Sequence, residues 1–555
     1  MVLGDPVSGK DFFDRNLEKG ILYSSLEDFE KGQKRNVAII GLRKIGKTSL
    51  IKQFITTLHK NKPRLVCLDI YLPEQNVQNF FRNCIGAVII ELLRLMNFKP
   101  KTNTLTLDEA IKIIEQEYPR TTLAINNLIS FNSTNKNEEA FVYLFSLLET
   151  LKKETNTLII VFLDEFQRLQ EYSRNISAPI DTFREKIMNQ KEIWYIISGS
   201  AVGMLNKLIA STKSPLYAHF KILPLRGFSY KDSYEFVRKK KGDDFRLGDE
   251  NISFLYEITN GNPFYLDIFI NSIKNYCKFN KCRVSNDVLE DVLISEIFKS
   301  EGSIYSYFNL LVEQSLEKSG SRYYTEILKS IASEKIRPSQ IARYIKISLT
   351  TLPSYLKKLQ ELELIRKIES DSKSRVSEYE ITDTLFELWI KQVYELRQDP
   401  LIRDINIKMK IFKTNISKII SDYNSELGKG NESRIRELFR IFDNENFSGL
   451  VIPKFDKVER KDIDGVEIDV FSTIGKDVWI AEVTKQNIDT AEIENIKSKS
   501  DLVKSKFNLK EVIIISTKEI EKDAIDRCKK YKFKVWTIED INKMLKKKKM
   551  FRILI

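Results

Sequence analysis

Five short apolar runs punctuate the first 225 residues: Val37 to Ile40, Leu65 to Tyr71, Leu158 to Leu163, Ile193 to Ser198 and Phe220 to Pro224. Runs of this length read as strands buried on both faces, whereas intervening stretches such as Phe80 to Leu95 and Glu138 to Lys153 carry apolar residues at helical spacing. Strand and helix in alternation predict crossovers and a mainly parallel sheet, an α/β fold. From Tyr230 to Tyr276 the pattern changes: Phe236, Val237, Phe254, Leu255, Phe264, Leu266 and Phe269 recur at helical spacing, interrupted by Asn260-Gly261-Asn262-Pro263, which predicts a small helical bundle. Three helices are then expected, Tyr324 to Ala332, Pro338 to Ile345 and Thr351 to Leu362 with Pro353 in its first turn. Two strands, Glu363 to Ile368 and Glu378 to Ile381, flank a polar turn after them. Finally Arg434 to Phe439 starts a helix, and strands are expected at Leu450 to Phe455, Val466 to Ile474, Asp477 to Val483, Val512 to Ser516 and Val535 to Thr537.

At 555 residues the chain exceeds one core, and the changes of pattern divide it into residues 1–225, 226–310, 311–400 and 401–555. Lys and Arg outnumber Asp and Glu by 90 to 77, a balance that favours anionic partners such as nucleic acid. The five cysteines, Cys67, Cys84, Cys277, Cys282 and Cys528, show no paired C-x-x-C spacing and read as reduced thiols. Only His59 and His219 are available, so histidine triads and multi-histidine metal sites are excluded, and chemistry must rest on carboxylates, Lys, Arg and metal. No stretch is apolar enough to cross a bilayer, and a cytoplasmic protein without membrane contact is expected.

The chemistry is concentrated after the first strand, where Gly41-Leu42-Arg43-Lys44-Ile45-Gly46-Lys47-Thr48 fits G-x-x-x-x-G-K-[ST] and Ser49 continues into a helix. Such a loop aims backbone N–H groups and a helix N-terminus at one anion, while Lys47 reaches the outer phosphates and Thr48 can hold Mg2+; the expected cofactors are ATP and Mg2+. A second apolar run ends in Asp164-Glu165. In such a site Asp164 orders the magnesium with Thr48, and Glu165 polarises the attacking water, which with Lys47 makes it the candidate catalytic pair. Ser198-Gly199-Ser200, ending another strand, fits either hydrogen bonding to the terminal phosphate or an ordinary strand-to-helix turn. Arg43 and Arg226 are candidate arginine fingers, should the chain form a homo-oligomer.

These segments resemble the archaeal ATPase family within the STAND and AAA-like P-loop superfamily. The likeness rests on Phe13-Asp14-Arg15, Gly41 to Leu50, Leu163-Asp164-Glu165-Phe166, Ile197 to Ser200, Pro224-Leu225 and Gly261-Asn262-Pro263. It implies Phe13 to Arg15 near the adenine and Gly261 to Pro263 in a helical lid. The third helix of the 311–400 segment turns Leu352, Leu356, Leu359 and Leu362 inward and Thr350, Ser354, Lys357 and Lys358 outward, which looks like a winged helix-turn-helix facing double-stranded DNA. Lys373 and Arg375 on the wing tip would add phosphate contacts. The order of elements after residue 401 looks like the PD-(D/E)xK, restriction-endonuclease-like α/β fold, with Glu437, Asp469 and Glu482 at its acidic positions. That pattern needs lysine two residues after the last acid, and Thr484 stands there, with Lys485 on the opposite strand face. A degenerate nucleic-acid-binding or structural module is therefore expected over an active nuclease. The run Lys546 to Lys549 reads as a solvated tail or a phosphate grip. Together these readings describe an ATP-binding, ATP-hydrolysing switch coupled to DNA through a winged helix. The alternatives are an ATP-gated DNA nuclease in defence or mobile-element control, and a protein-only STAND-type signalling ATPase.

Overall fold

The computed structural model describes residues 5–99, 105–241, 247–281, 284–313, 322–368, 377–447, 450–484, 487–516, 518 and 520–547. The chain divides into two units, Met1–Lys413 and Thr414–Ile555.

The first unit is built on five strands: β1 Asn36–Ile40, β2 Val66–Tyr71, β3 Ile159–Asp164, β4 Ile193–Gly199 and β5 Phe220–Pro224. All pair in parallel, in the order β2-β3-β4-β1-β5. Every residue of β1, β3 and β4 is buried, which is why their sequences carry no polar alternation. The two faces still take alternate residues. Val37 and Ile39 pack with Leu22, Phe29, Leu50 and Phe54 from helices Asn16–Glu30 and Lys47–Asn61. Ala38 and Ile40 lie in the larger core with Phe81, Val88 and Phe141 from helices Val77–Leu95 and Asn137–Thr155. Because β1 is flanked by strands that follow much later in the chain, β4 and β5, the chain order reverses around it, and the crevice at its carboxyl end is where such a sheet binds ligands.

Among the described residues, helices Tyr230–Lys241, Asp249–Thr259, Pro263–Asn280, Asn286–Leu293 with its continuation Ile294–Phe298, and Ser303–Val312 follow. Asn262 caps the third, its side chain accepting from Phe264 N at 3.0 Å. Next come helices Tyr323–Ala332, Pro338–Ile345 and Leu352–Glu361, then an antiparallel pair, β6 Ile365–Ile368 and β7 Glu378–Ile381. Leu352, Leu356 and Leu359 are buried, while Ser354, Lys357 and Lys358 are exposed, the split expected from period 3.6. The buried Tyr265 hydroxyl donates to Asp383 at 2.6 Å, and Asp383 also caps helix Thr384–Trp389 by accepting from Leu385 N and Phe386 N, each at 3.0 Å.

The second unit begins within helix Ile405–Arg440. A short hairpin, β8 Glu445–Phe447 and β9 Leu450–Ile452, precedes a five-stranded mixed sheet. Its strands are β10 Lys457–Ile463, β11 Val466–Ile474, β12 Asp477–Thr484, β13 Asn508–Ser516 and β14 Lys534–Thr537, in that order. The first three are antiparallel and the last three parallel. The single strand expected over Leu450 to Phe455 is thus corrected: β9 pairs in the hairpin, and β10 is an additional sheet strand. Its sequence, Lys457-Val458-Glu459-Arg460-Lys461-Asp462-Ile463, is that of a charged edge, which shows little apolar signal. Helix Thr490–Lys506 lies on one face with Phe471, Ile480 and Ile514, and Phe439 of the long helix lies on the other with Val470, Ala481 and Trp536. Among the described residues no helix is long and apolar enough to cross a membrane.

Candidate functional site

The loop from Gly41 leaves the carboxyl end of β1 and opens helix Lys47–Asn61. Gly46 has φ +101°, a backbone state that a side chain would strain, and this turn lets the amides converge in front of the helix. Lys47 is 6 % exposed and its Nζ donates to the carbonyls of Gly41 (2.7 Å) and Leu42 (2.9 Å). Burial pushes the Lys47 ammonium below its usual range, opposed by the negative charges of Glu165, Asp164 and Glu363. Arg15 Nη2 donates to Ile45 O at 3.0 Å, and its guanidinium lies 4.7 Å over Phe228. Phe13 meets Phe228 and Phe236 edge-on at 5.6 and 5.4 Å. Residues 13–15 are thereby tied to the loop and to the helical segment that follows β5.

The two acids arrive beside the loop at the carboxyl end of β3, next but one to β1 in the sheet. Thr48 Oγ1 donates to Asp164 Oδ2 at 2.8 Å, and Ser198 Oγ donates to Asp164 Oδ1 at 2.5 Å. Glu165 takes a left-handed backbone, φ 59°. Its Oε2 accepts from Gln167 Nε2 (2.5 Å), Ser200 Oγ (2.8 Å) and Ser200 N (3.4 Å). Burial alone would raise the Glu165 carboxyl, but the charge of Lys47 and the bonds from Gln167 and Ser200 outweigh it, so the group is held below the ordinary carboxylate range. Gly199 leaves room between the serines for the Gln167 side chain, whose Oε1 a Cβ there would displace. Ser198 and Ser200 thus grip the two acids. Gln167 was missed by sequence reasoning, because nothing in its position two residues past Glu165 signals that it turns back.

Arg43 and Arg226 are both exposed. Arg375 and Lys373, and the side chains of Lys546 to Lys549, lie outside the described residues. Cys67, Cys84, Cys277 and Cys528 are buried.

A second cluster sits in the second unit. Asp469 of β11 has Oδ2 accepting from Val483 N at 2.8 Å, and Glu482 of β12 accepts from Lys499 Nζ at 2.5 Å. Lys499, on helix Thr490–Lys506, also donates to Glu467 O at 3.0 Å. Burial, then the neighbouring Asp469, pushes the Glu482 carboxyl up to about 7 despite Lys499. Glu437 is corrected here: it pairs with Arg440 at 3.2 Å, and the helical acid that joins the cluster is Glu432, whose carboxylate lies with those of Glu467 and Asp469 within 4.8 Å. Five residues turn an α-helix by about 500°, so Glu437 points some 140° away from Glu432.

A glycine-bearing loop joining a central parallel strand to a helix, with two acids at the end of a nearby strand, defines a P-loop nucleotide-binding ATPase core. Residues 12–269 match the family described as an ATPase domain predominantly from Archaea. An uncharacterised ATP-binding protein of Methanocaldococcus jannaschii is 23 % identical over 380 residues, covering 64 % of this chain and 99 % of that protein. A second, uncharacterised protein of the same organism is 24 % identical over 343 residues, 61 % of this chain and 70 % of its own length. Among solved structures, a Walker-type ATPase of Pyrococcus abyssi is 21 % identical, with 70 % of this chain and 99 % of that chain covered and a TM-score of 0.45. The ORC2 protein of Aeropyrum pernix is 16 % identical, with 74 % and 97 % covered and a TM-score of 0.35.

Proposed function

We propose that the chain is an ATP-hydrolysing switch whose nucleotide state is coupled to binding of duplex DNA through a winged helix. The observation that carries this reading is the 2.8 Å contact between Thr48 and Asp164, two residues 116 apart that meet beside the loop with Glu165 next to them. In this reading the amides of Gly41 to Ser49, from Leu42, Arg43, Lys44, Ile45 and Gly46 onward, cradle the phosphates, and Lys47 leaves the loop carbonyls to bind the outer ones. Thr48 and Asp164 are the pair that would hold Mg2+, which neutralises charge on the β- and γ-phosphates. Glu165 accepts the proton of the water that attacks the γ-phosphorus, as the bond to the ADP oxygen breaks. Helix Leu352–Glu361, with Ser354, Lys357 and Lys358 outward, is read as the segment that meets the duplex.

The test is the ATPase rate with and without duplex DNA, alongside duplex affinity as a function of salt. A switch that touches DNA shows affinity falling steeply with salt, because neutralised phosphates release counterions. Salt-insensitive or undetectable duplex binding favours the protein-only signalling ATPase.

A second reading, an ATP-gated DNA nuclease, is supported by Lys499. In this reading Lys499 of the next helix, 2.5 Å from Glu482, takes the part of the lysine missing at Thr484. A lysine so placed could steady an attacking hydroxide and the charge on phosphorus, with Glu432, Glu467 and Asp469 close enough together to share a divalent ion. Metal-dependent nicking of plasmid DNA, lost in both Lys499→Ala and Glu482→Ala, is its expected signature. No scission with Mg2+ or Mn2+ rejects it.

A further inference from the structure

Glu165 is held by one of its two carboxylate oxygens. Gln167 Nε2 (2.5 Å), Ser200 Oγ (2.8 Å) and Ser200 N (3.4 Å) all donate to Oε2, and among the described residues no donor reaches Oε1. The neighbours of Gln167 in the chain place it for this contact. Phe166 and Leu169 are buried in the larger core, Phe166 with its ring 5.0 Å from that of Phe183, and Arg168 N donates to Glu165 O at 3.0 Å, closing the turn that brings Gln167 back to Glu165. The far end of the Gln167 side chain fills the space that Gly199 leaves open, which Leu205 also borders. Gln167 is 6 % exposed, and its Oε1 is buried with no donor among the described residues. Turning the amide over would not mend this, because it would set the amide oxygen against the Glu165 carboxylate, acceptor against acceptor. A buried amide oxygen without a partner costs stability, and an apolar side chain of the same length would avoid that cost. Packing therefore does not account for glutamine at this position, whereas its N–H group bonded to Glu165 does.

We propose that Gln167 is a positioning residue for ATP hydrolysis: with Ser200 it ties down Oε2 of Glu165, so that Oε1 is the oxygen offered to the attacking water. The role rests on the reading of Glu165 as the base and names the side chain that aims it. In that step the water proton passes to Oε1, the water oxygen bonds to the γ-phosphorus, and the bond from phosphorus to the ADP oxygen breaks. A carboxylate free to rotate would present its oxygens in many directions, and only a narrow range of approach is productive. Gly199 takes part indirectly. The atom that a Cβ there would meet is the end of a flexible side chain, so Gly199→Ala fits by pushing the Gln167 amide away from Glu165. The same contact can thus be broken from either side, without touching Glu165 itself.

The experiment uses the full-length chain with Gln167→Met, Gly199→Ala, the two combined, and Gln167→Met added to Glu165→Gln. Phosphate release gives kcat and KM, calorimetry gives affinity for the β,γ-imido analogue of ATP with Mg2+, and thermal unfolding gives the midpoint. Gln167→Met and Gly199→Ala should each lower kcat about ten- to thirtyfold, within what a misplaced group costs, while KM and analogue affinity change less than about twofold. The combined variant should lose about as much as either single one, since both changes remove one contact. Added to Glu165→Gln, Gln167→Met should alter the residual rate less than about twofold, because the group it aims is already gone. The midpoint of Gln167→Met should stay at or above that of the wild type, as the buried partnerless oxygen goes with the lost bond. A kcat in Gln167→Met within about threefold of wild type or above it, or a further large loss in the Glu165→Gln background, overturns the positioning role. A kcat that falls together with analogue affinity and midpoint overturns it too, since that is the mark of a merely structural residue. Wild-type turnover in Glu165→Gln sinks the base assignment and the positioning role with it, whereas an inactive Glu165→Gln beside a fully active Gln167→Met removes Gln167 alone.

Discussion

Replacing Glu165 by glutamine separates the electrostatic role of this side chain from its chemical one. The carboxylate Oε2 receives three donors, Gln167 Nε2, Ser200 Oγ and Ser200 N. Glutamine keeps one acceptor oxygen of the same reach, so the donors stay satisfied, although bonds to a charged acceptor weaken by roughly half when it becomes neutral. That loss, about 1 kcal/mol, is offset by no longer holding an ion in a mostly buried position, and folding stability should change by less than about 1 kcal/mol. Lys47 loses a negative neighbour, which leaves its charge freer for phosphate, so ATP binding should be equal or somewhat tighter. Turnover is another matter. A positioned general base contributes about 10²- to 10⁴-fold, or roughly 3 to 5.5 kcal/mol of barrier, and glutamine cannot take the proton. Phosphate release under multiple turnover, measured together with binding of labelled ATP, should show turnover reduced at least a hundredfold with binding retained. Since Lys47, Gln167 and Ser200 keep the wild-type carboxyl below its ordinary range, it should stay ionised, and the wild-type rate flat, from neutral into mildly acidic pH. Hydrolysis in Glu165→Gln within threefold of wild type would refute the assignment of the base.

Three further outcomes follow from the same geometry. Asp164→Asn keeps an acceptor for Thr48 or Ser198 but loses the charge they share, and Mg2+-dependent ATP affinity should fall at least tenfold; equal affinity with and without Mg2+ in the wild type would contradict the pairing. In Lys357→Ala/Lys358→Ala, duplex affinity should drop and the slope of log K against log salt should shrink by up to about 2, near 0.9 for each phosphate no longer neutralised; an unchanged slope removes the helix from the interface. Buried Glu91 accepts from Cys67 N (3.0 Å) and Arg94 (2.9 Å), and although burial raises its carboxyl, His59 and Arg94 bring it below the usual value. Its contribution to stability is therefore full above the unfolded pKa of about 4.5 and lost as pH falls through the folded value. Glu91→Ala should cost about 3–5 kcal/mol at neutral pH and flatten that acid limb, as followed by urea unfolding between pH 7 and 3.

The phosphate loop and both acids were legible because their signals are local: a glycine at a strained turn, and apolar strands that end in the acids. What Ser198 and Ser200 do was not legible, since their partners lie at and just beyond the end of β3 and strand order is set by packing, not by neighbouring residues. The long helix Ile405–Arg440 hid the acid of the second cluster in the same way. Its face is fixed by Ile435, Leu438 and Phe439 packing on the sheet, and only that rotation shows Glu432 turned to Asp469 and Glu437 turned to Arg440. Lys499 escaped a search tied to strand register because it comes from a helix 17 residues beyond Glu482.

The bond from Tyr265 to Asp383 has a mechanical consequence. Tyr265, a buried residue, sits early in helix Pro263–Asn280, while Asp383 pins the start of Thr384–Trp389. Pulling them apart would leave the buried phenol without its acceptor, a loss of about 1–3 kcal/mol. That one bond therefore ties the helix before the segment Leu352–Glu361 to the helix after it.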